Sequence, residues 1–242
     1  MRSIHKHAEP RALNQWKADN RDSPQNLVYQ GGGFPAEEIR QSLLTEQGHL
    51  CAYTMRRLKT ARQCAAEGKS TTAACHIEHL LPQSRQVPGE DIDYQNMVAC
   101  FPPSQSSAAC PYGAHKKADF DPATGGFVSP LSNGAASHFA FGTDGAIRGV
   151  TPDGEATIKI LGLDHKILTH DRAAAIRGWL YPRGTTKKPV SAQQAQRLIQ
   201  ELQTPDQEHC LQPFCEAAIQ ALQKHALREE KRAARQRGQR NP

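Results

Sequence analysis

A chain of 242 residues that is 38% hydrophobic, 22% charged and 6% aromatic, with a mean hydropathy of −0.65, has the composition of a soluble protein with a modest core. No apolar run approaches the roughly 20 residues of a membrane span, and seven cysteines, an odd number scattered from position 51 to 215, do not make a secreted disulfide framework. The formal charge of +6 sits mostly at one end, since Ala226 to Pro242 holds six Arg/Lys against two Glu and leaves only +2 for the rest.

The opening MRSIHKHAEPRALNQW has basic residues but no apolar segment of about 7 to 15 residues behind them. No signal peptide is expected; the cytoplasm is the expected compartment, without a membrane partner. Asn20, Pro24 and Gly31-Gly32-Gly33 before Phe34-Pro35 punctuate residues 1–45, which read as an N-terminal arm with short helices. Ile39, Leu43 and Leu44 stand near helical spacing within 36–47, and HLCAYTM from His49 turns strand-like.

Residues 46–125 hold five of the seven cysteines and most of the chemically suggestive side chains. Within them CHIEHLLPQS sets Glu78 beside His79 just ahead of a proline. Successive strand side chains face opposite ways, so the pair shares a site only if the backbone turns out of the strand. Leu80-Leu81-Pro82 supplies that turn, and a strand arriving through Ala74 to Ile77 is predicted to break near His79. DYQNMVAC then places Asn96 at the head of a second short strand, and YGAHKKADF brings His115 at the start of a helix.

Residues 126–182 open on a Gly/Pro/Ser/Asn-rich loop. HFAFGTDGAI reads as a hairpin, Thr157 to Leu163 as a further short strand, and Leu168 to Leu180 as a helix stopped by Tyr181-Pro182. In residues 183–242, Arg183 to Pro189 reads as a linker. Ser191 with Gln194 forms a capping-box pattern before Ala195, Leu198, Ile199 and Leu202, and a second amphipathic helix from Gln212 runs into the basic tail. That tail is either a phosphate-contacting element or a solvated helix end. The fold class is α+β, with a small mixed core in a mostly helical protein carrying N- and C-terminal extensions.

Strand, turn, loop, strand and helix in that order are an arrangement able to fold Glu78 and His115 back onto one cation. The carboxylate suits a hard divalent ion and the imidazole tilts the choice toward Mn²⁺, with Mg²⁺ open. Arg85, Lys116 and Lys117 lie beside the site as phosphate contacts or as solvated cations. His76, two before Glu78, is a supporting partner of the metal site or a strand residue on the same face. Cys51, Cys100 and Cys110 are either structural Zn²⁺ ligands or small buried hydrophobes.

The Glu78-His79 pair before Pro82, Asn96 and His115 resemble the HNH endonuclease family, whose core is the ββα-metal (His-Me finger) fold. The resemblance implies Glu78 and His115 as metal ligands, His79 as the general base and Asn96 as the residue that holds the loop. The implied reaction is metal-dependent hydrolysis of phosphodiester bonds, in DNA rather than RNA, leaving 5′-phosphates. The EQGHLCAYTMRR, HIEHLLPQS and TDGAI to LGLDHKIL segments are further similar to the HNH subunits of Septu and retron-associated anti-phage defence systems, over roughly Met1 to Leu180. That implies an antiviral effector nuclease working with an ATPase partner. An RNase of the same fold, for example one cleaving tRNA, and a non-catalytic zinc-stabilised binding subunit stay open. The two CxxC knuckles carried by many HNH proteins are missing here: Cys51 is followed by Thr54, and Cys110 has no partner at that spacing.

Overall fold

The computed structural model describes residues 1–104, 106, 108–182 and 188–238. It is an α+β protein of eight α-helices and two separate two-stranded antiparallel sheets among these residues. The helices are α1 (Arg11–Asp19), α2 (Ala36–Glu46), α3 (Ala61–Ala66), α4 (Ala114–Lys117), α5 (Pro152–Leu161), α6 (Lys166–Leu180), α7 (Ala192–Gln203) and α8 (Cys215–Gly238). Strands β1 (His76–His79) and β2 (Met97–Cys100) pair with His76 opposite Cys100 and His79 opposite Met97. Strands β3 (Phe139–Phe141) and β4 (Ile147–Gly149) form the second hairpin.

One apolar core runs through all of these elements, from Met1 through Leu43, Met97 and Leu168 to Ala226. Strand β2 is buried at every position, because α2 covers it and the N-terminal arm ties down its start. Lys6 Nζ donates to the Met97 carbonyl at 3.2 Å, pairs with Glu46 at 3.1 Å and lies 3.4 Å above the Tyr94 ring. The arm is fixed further along by Trp16, whose Nε1 donates to the Gly32 carbonyl at 2.9 Å and whose ring meets Phe34 edge-to-face. Among the described residues no helix is long and apolar enough to cross a membrane.

Two expected strands are absent. Residues 49–55 form turns, with His49 and Met55 both at positive φ and only a single bridge between Leu50 and Arg57. Residues 157–163 are mostly helical, because Thr151 caps α5 by accepting from the Gly154 N–H at 3.1 Å and Pro152 occupies its first turn. The GTDG hairpin, the helix ending at Leu180 and the Ser191/Gln194 capping box are all formed. The amphipathic helix expected from Gln212 starts at Cys215. Most of the expected linker at 183–189 lies outside the described residues.

Candidate functional site

The site is organised by the loop between β1 and β2, and Asn96 closes that loop. Its side chain is buried, and Oδ1 accepts from the Leu81 N–H at 2.7 Å while Nδ2 donates to the carbonyls of Leu81 (3.1 Å) and Glu90 (2.9 Å). One amide thereby satisfies three backbone groups that the loop would otherwise bury unpaired. Leu80 N–H adds a bond to the Asn96 carbonyl at 2.9 Å, so the two strand ends stay locked. Arg85 braces the outside of the loop, pairing with Glu90 at 2.9 Å and Asp121 at 2.6 Å.

His79 is the last residue of β1 and is buried. Its Nε2 lies 2.8 Å from the carbonyl oxygen of Asp91. A carbonyl only accepts, so Nε2 carries the hydrogen and Nδ1 keeps its lone pair. The ring meets Tyr29 edge-to-face at 4.6 Å, and the Tyr29 N–H donates to the Asp91 carboxylate at 2.8 Å. The N-terminal arm therefore holds both the ring and the residue that orients it. Burial lowers the His79 pKa, and the bond to Asp91 opposes that only in part. The imidazole is neutral at neutral pH.

Glu78 sits on the other side of the strand, with His76. Glu78 Oε1 accepts from Lys117 Nζ at 3.1 Å and from the Tyr53 hydroxyl at 3.3 Å, while Oε2 is 3.7 Å from His76 Nε2. Burial and the adjacent carboxylate raise the Tyr53 pKa, which keeps it a donor. His76 is shifted upward: burial pulls it down, but its contacts with Glu78 and the Pro102 carbonyl outweigh that. His115 enters from α4, its ring centroid 5.8 Å from that of His76, and its Nδ1 accepts from the Cys110 N–H at 3.3 Å. Burial and then the neighbouring His76 lower its pKa.

Lys117 links the two sides. Its buried ammonium donates to the His79 carbonyl at 3.0 Å as well as to Glu78. The structure thus gathers His76, Glu78, His115 and Lys117 on one side of β1 and places His79 on the opposite side, against Tyr29 and Asp91.

The three cations expected to touch phosphate differ. Arg85 is committed to two carboxylates and Lys117 is buried, whereas Lys116 is exposed and has no ion-pair partner among the described residues. Of the cysteines, Cys51 and Cys100 are hydrogen-bonded to each other inside the core, and Cys110 interacts instead with Tyr112 and His115. Burial would raise the Cys51 pKa, but bonds from Cys100, the Phe101 N–H and Thr54 bring it down to about 6.

No three His, Cys, Asp or Glu side chains among the described residues are grouped as a metal-holding set. The donors on the Glu78 face nonetheless have the right chemistry for a borderline divalent cation, one carboxylate beside two imidazoles. Tyr29, Tyr53 and Asp91 were missed in the sequence. Tyr29 is remote along the chain, Tyr53 lies in a segment read as a strand, and Asp91 orients the ring through a main-chain carbonyl that every residue carries. No protein-family model and no curated protein matches the chain.

Proposed function

We propose that the protein is a metal-dependent HNH endonuclease that hydrolyses phosphodiester bonds in DNA, with residues 46–125 as its ββα-metal nuclease core. The observation that carries this reading is His79, whose Nε2–H is spent on the Asp91 carbonyl so that a neutral Nδ1 remains as proton acceptor. In the proposed reaction His79 Nδ1 takes a proton from the water attacking phosphorus. Asn96 keeps the Asp91 carbonyl in place by closing the loop that carries it. Glu78 and His115 would hold Mg²⁺ or Mn²⁺, with His76 supporting them, and a bound cation supplies charge stabilisation for the phosphorane and the leaving 3′ oxygen. Lys116 is the phosphate contact of this reading. The resemblance to anti-phage HNH subunits supplies the ATPase partner and the defensive role.

His79→Ala is expected to lower cleavage of plasmid DNA in Mn²⁺ by about 10²- to 10⁴-fold while Mn²⁺ binding by calorimetry is retained. Glu78→Ala should lose Mn²⁺ binding as well. Wild-type activity in the His79→Ala protein would sink the mechanism, and parallel digestion of tRNA separates a DNase from an RNase. A second reading, a non-catalytic binding subunit, is favoured by Lys117 standing on the Glu78 carboxylate. Absence of cleavage in either metal with the ATPase partner present would support it.

A further inference from the structure

Past Ala226, the last buried residue of α8 among those described, the helix turns to solvent a face of cations with no ion-pair partner among the described residues. At about 100° per residue, Arg228, Lys231, Arg232 and Arg235 fall within an arc of roughly 100°. All four are exposed, and none has an ion-pair partner among the described residues. Other sides of the helix are occupied. His225 Nε2 reaches the Val190 carbonyl at 2.6 Å, Glu230 accepts from Gln196 at 3.2 Å, and Leu222 and Ala226 are buried against the rest of the core. Lys224 donates to the Phe141 carbonyl at 2.9 Å, so the base of the projecting segment is anchored on both α7 and the β3–β4 hairpin.

A fixed helix with one cationic face meets a polyanion with little ordering cost. Four positive charges span about 10 Å of helix, and duplex DNA presents one negative charge per about 1.7 Å of its axis. A helix also fits the major groove, which is about 12 Å wide. Docking on a folded protein calls for apolar anchors along the same face. Here Leu227 is the one large exposed apolar side chain of the described segment, 52% accessible, and it is not repeated a turn later.

We propose that the Arg228, Lys231, Arg232 and Arg235 face of α8 is a sequence-independent binding surface for nucleic-acid phosphates, distinct from the Glu78 and His79 site. Its assignment to nucleic acid rather than an acidic protein rests in part on the nuclease reading. The surface grips the polymer while the β1–β2 site does the chemistry.

The test uses the full chain carrying His79→Ala, in EDTA, so binding is read without cleavage and independently of whether the nuclease reading holds. Anisotropy of a labelled duplex of about 30 base pairs is followed from about 50 to 200 mM KCl. Replacing all four cations with Gln is expected to flatten the plot of log affinity against log salt by roughly 3 to 4, and to weaken binding at least tenfold near 100 mM. Arg232→Gln alone should flatten it by about 1, which keeps the test open if the fourfold variant loses helicity by circular dichroism. An unchanged slope in both variants, no duplex binding by the parent, or displacement of the duplex by charge-matched polyglutamate as efficient as by unlabelled duplex would each overturn the proposal. Loss of cleavage by the wild-type chain with duplex binding intact would instead count against the nuclease reading alone.

Discussion

Asn96 shows how much one residue can fix. Its amide meets an N–H through oxygen and two carbonyls through nitrogen, so its orientation is forced by the chemistry of its partners. Asn96→Ala leaves one donor and two acceptors without side-chain partners, at an expected cost of about 2 to 4 kcal/mol. Asn96→Asp keeps the acceptor for Leu81 N–H but turns a carboxylate oxygen toward the carbonyls of Leu81 and Glu90. It should therefore be at least as destabilised as the Ala variant at neutral pH, measured by urea denaturation. An Asp variant close to wild type would mean that the clasp contributes little. The sequence announced Asn96, Glu78 and His79 because each acts through a distinctive side chain. It was silent on Asp91, which acts through its carbonyl, and on the burial of Lys117, whose neighbour Lys116 looks identical in sequence yet stays exposed.

At the scale of elements, α5 explains why its sequence was misread. Thr157, Ile158 and Ile160 are β-branched and favour strands locally, but the Thr151-Pro152 start and Gly162 at the end outweigh them. Gly162 is left-handed, with φ of 59°. A Cβ there would stand 2.8 Å from Lys116 Cδ and 3.0 Å from the Pro111 carbonyl oxygen. The Gly113 N–H donates to the Leu161 carbonyl at 2.7 Å, so this helix end supports the start of α4 and with it His115. Gly162→Ala is expected to cost about 1 to 2 kcal/mol, seen as a lowered thermal midpoint. Placing Lys116 and Pro111 under strain should also perturb the amide resonances of His115 and its neighbours. A stable variant with unchanged α4 resonances would show that the two helix ends are independent. The hairpin, α6 and α7 were legible because each carries its stop or cap within the segment itself. The turn at 49–55 was not, because it is set by contacts distant in sequence, such as the Ala52 N–H on the Ala99 carbonyl and the Phe214 N–H on the Met55 carbonyl.

Across the whole molecule, histidines held neutral in the fold, two of them buried, make it sensitive to mild acid. His49, His79 and His115 all have pKa values lowered chiefly by burial. Such groups stay neutral in the folded chain while the unfolded chain takes up protons near pH 6.5. The stability they contribute is present above that pH and is lost as the pH falls through their folded values. His76 has the opposite sign. Its pKa is raised through Glu78 and Pro102 against the pull of burial, so its contribution is present below about pH 6.5 and is lost as the pH rises through its folded value. The Met1 amino group, pulled down to about 6 chiefly by burial, and the Cys51 thiol, brought down to about 6 by its hydrogen bonds, lose stability on acidification with these three imidazoles, whereas His76 gains it. Asp121 and Asp206, whose pKa values are lowered first by backbone N–H bonds, enter only below about pH 4. The urea midpoint should therefore drop between pH 7.5 and pH 5.5, before any carboxylate is involved. His49 gives the decisive control, because it lies outside the candidate site and its buried Nδ1 has no hydrogen-bond partner among the described residues. His49→Gln should flatten the acid limb by removing one of these losses while leaving His76, Glu78, His79 and His115 in place. A midpoint that is level from pH 7.5 to 5.5 in the wild type, or an acid limb unaltered by His49→Gln, would refute the share of the acid sensitivity assigned to these imidazoles.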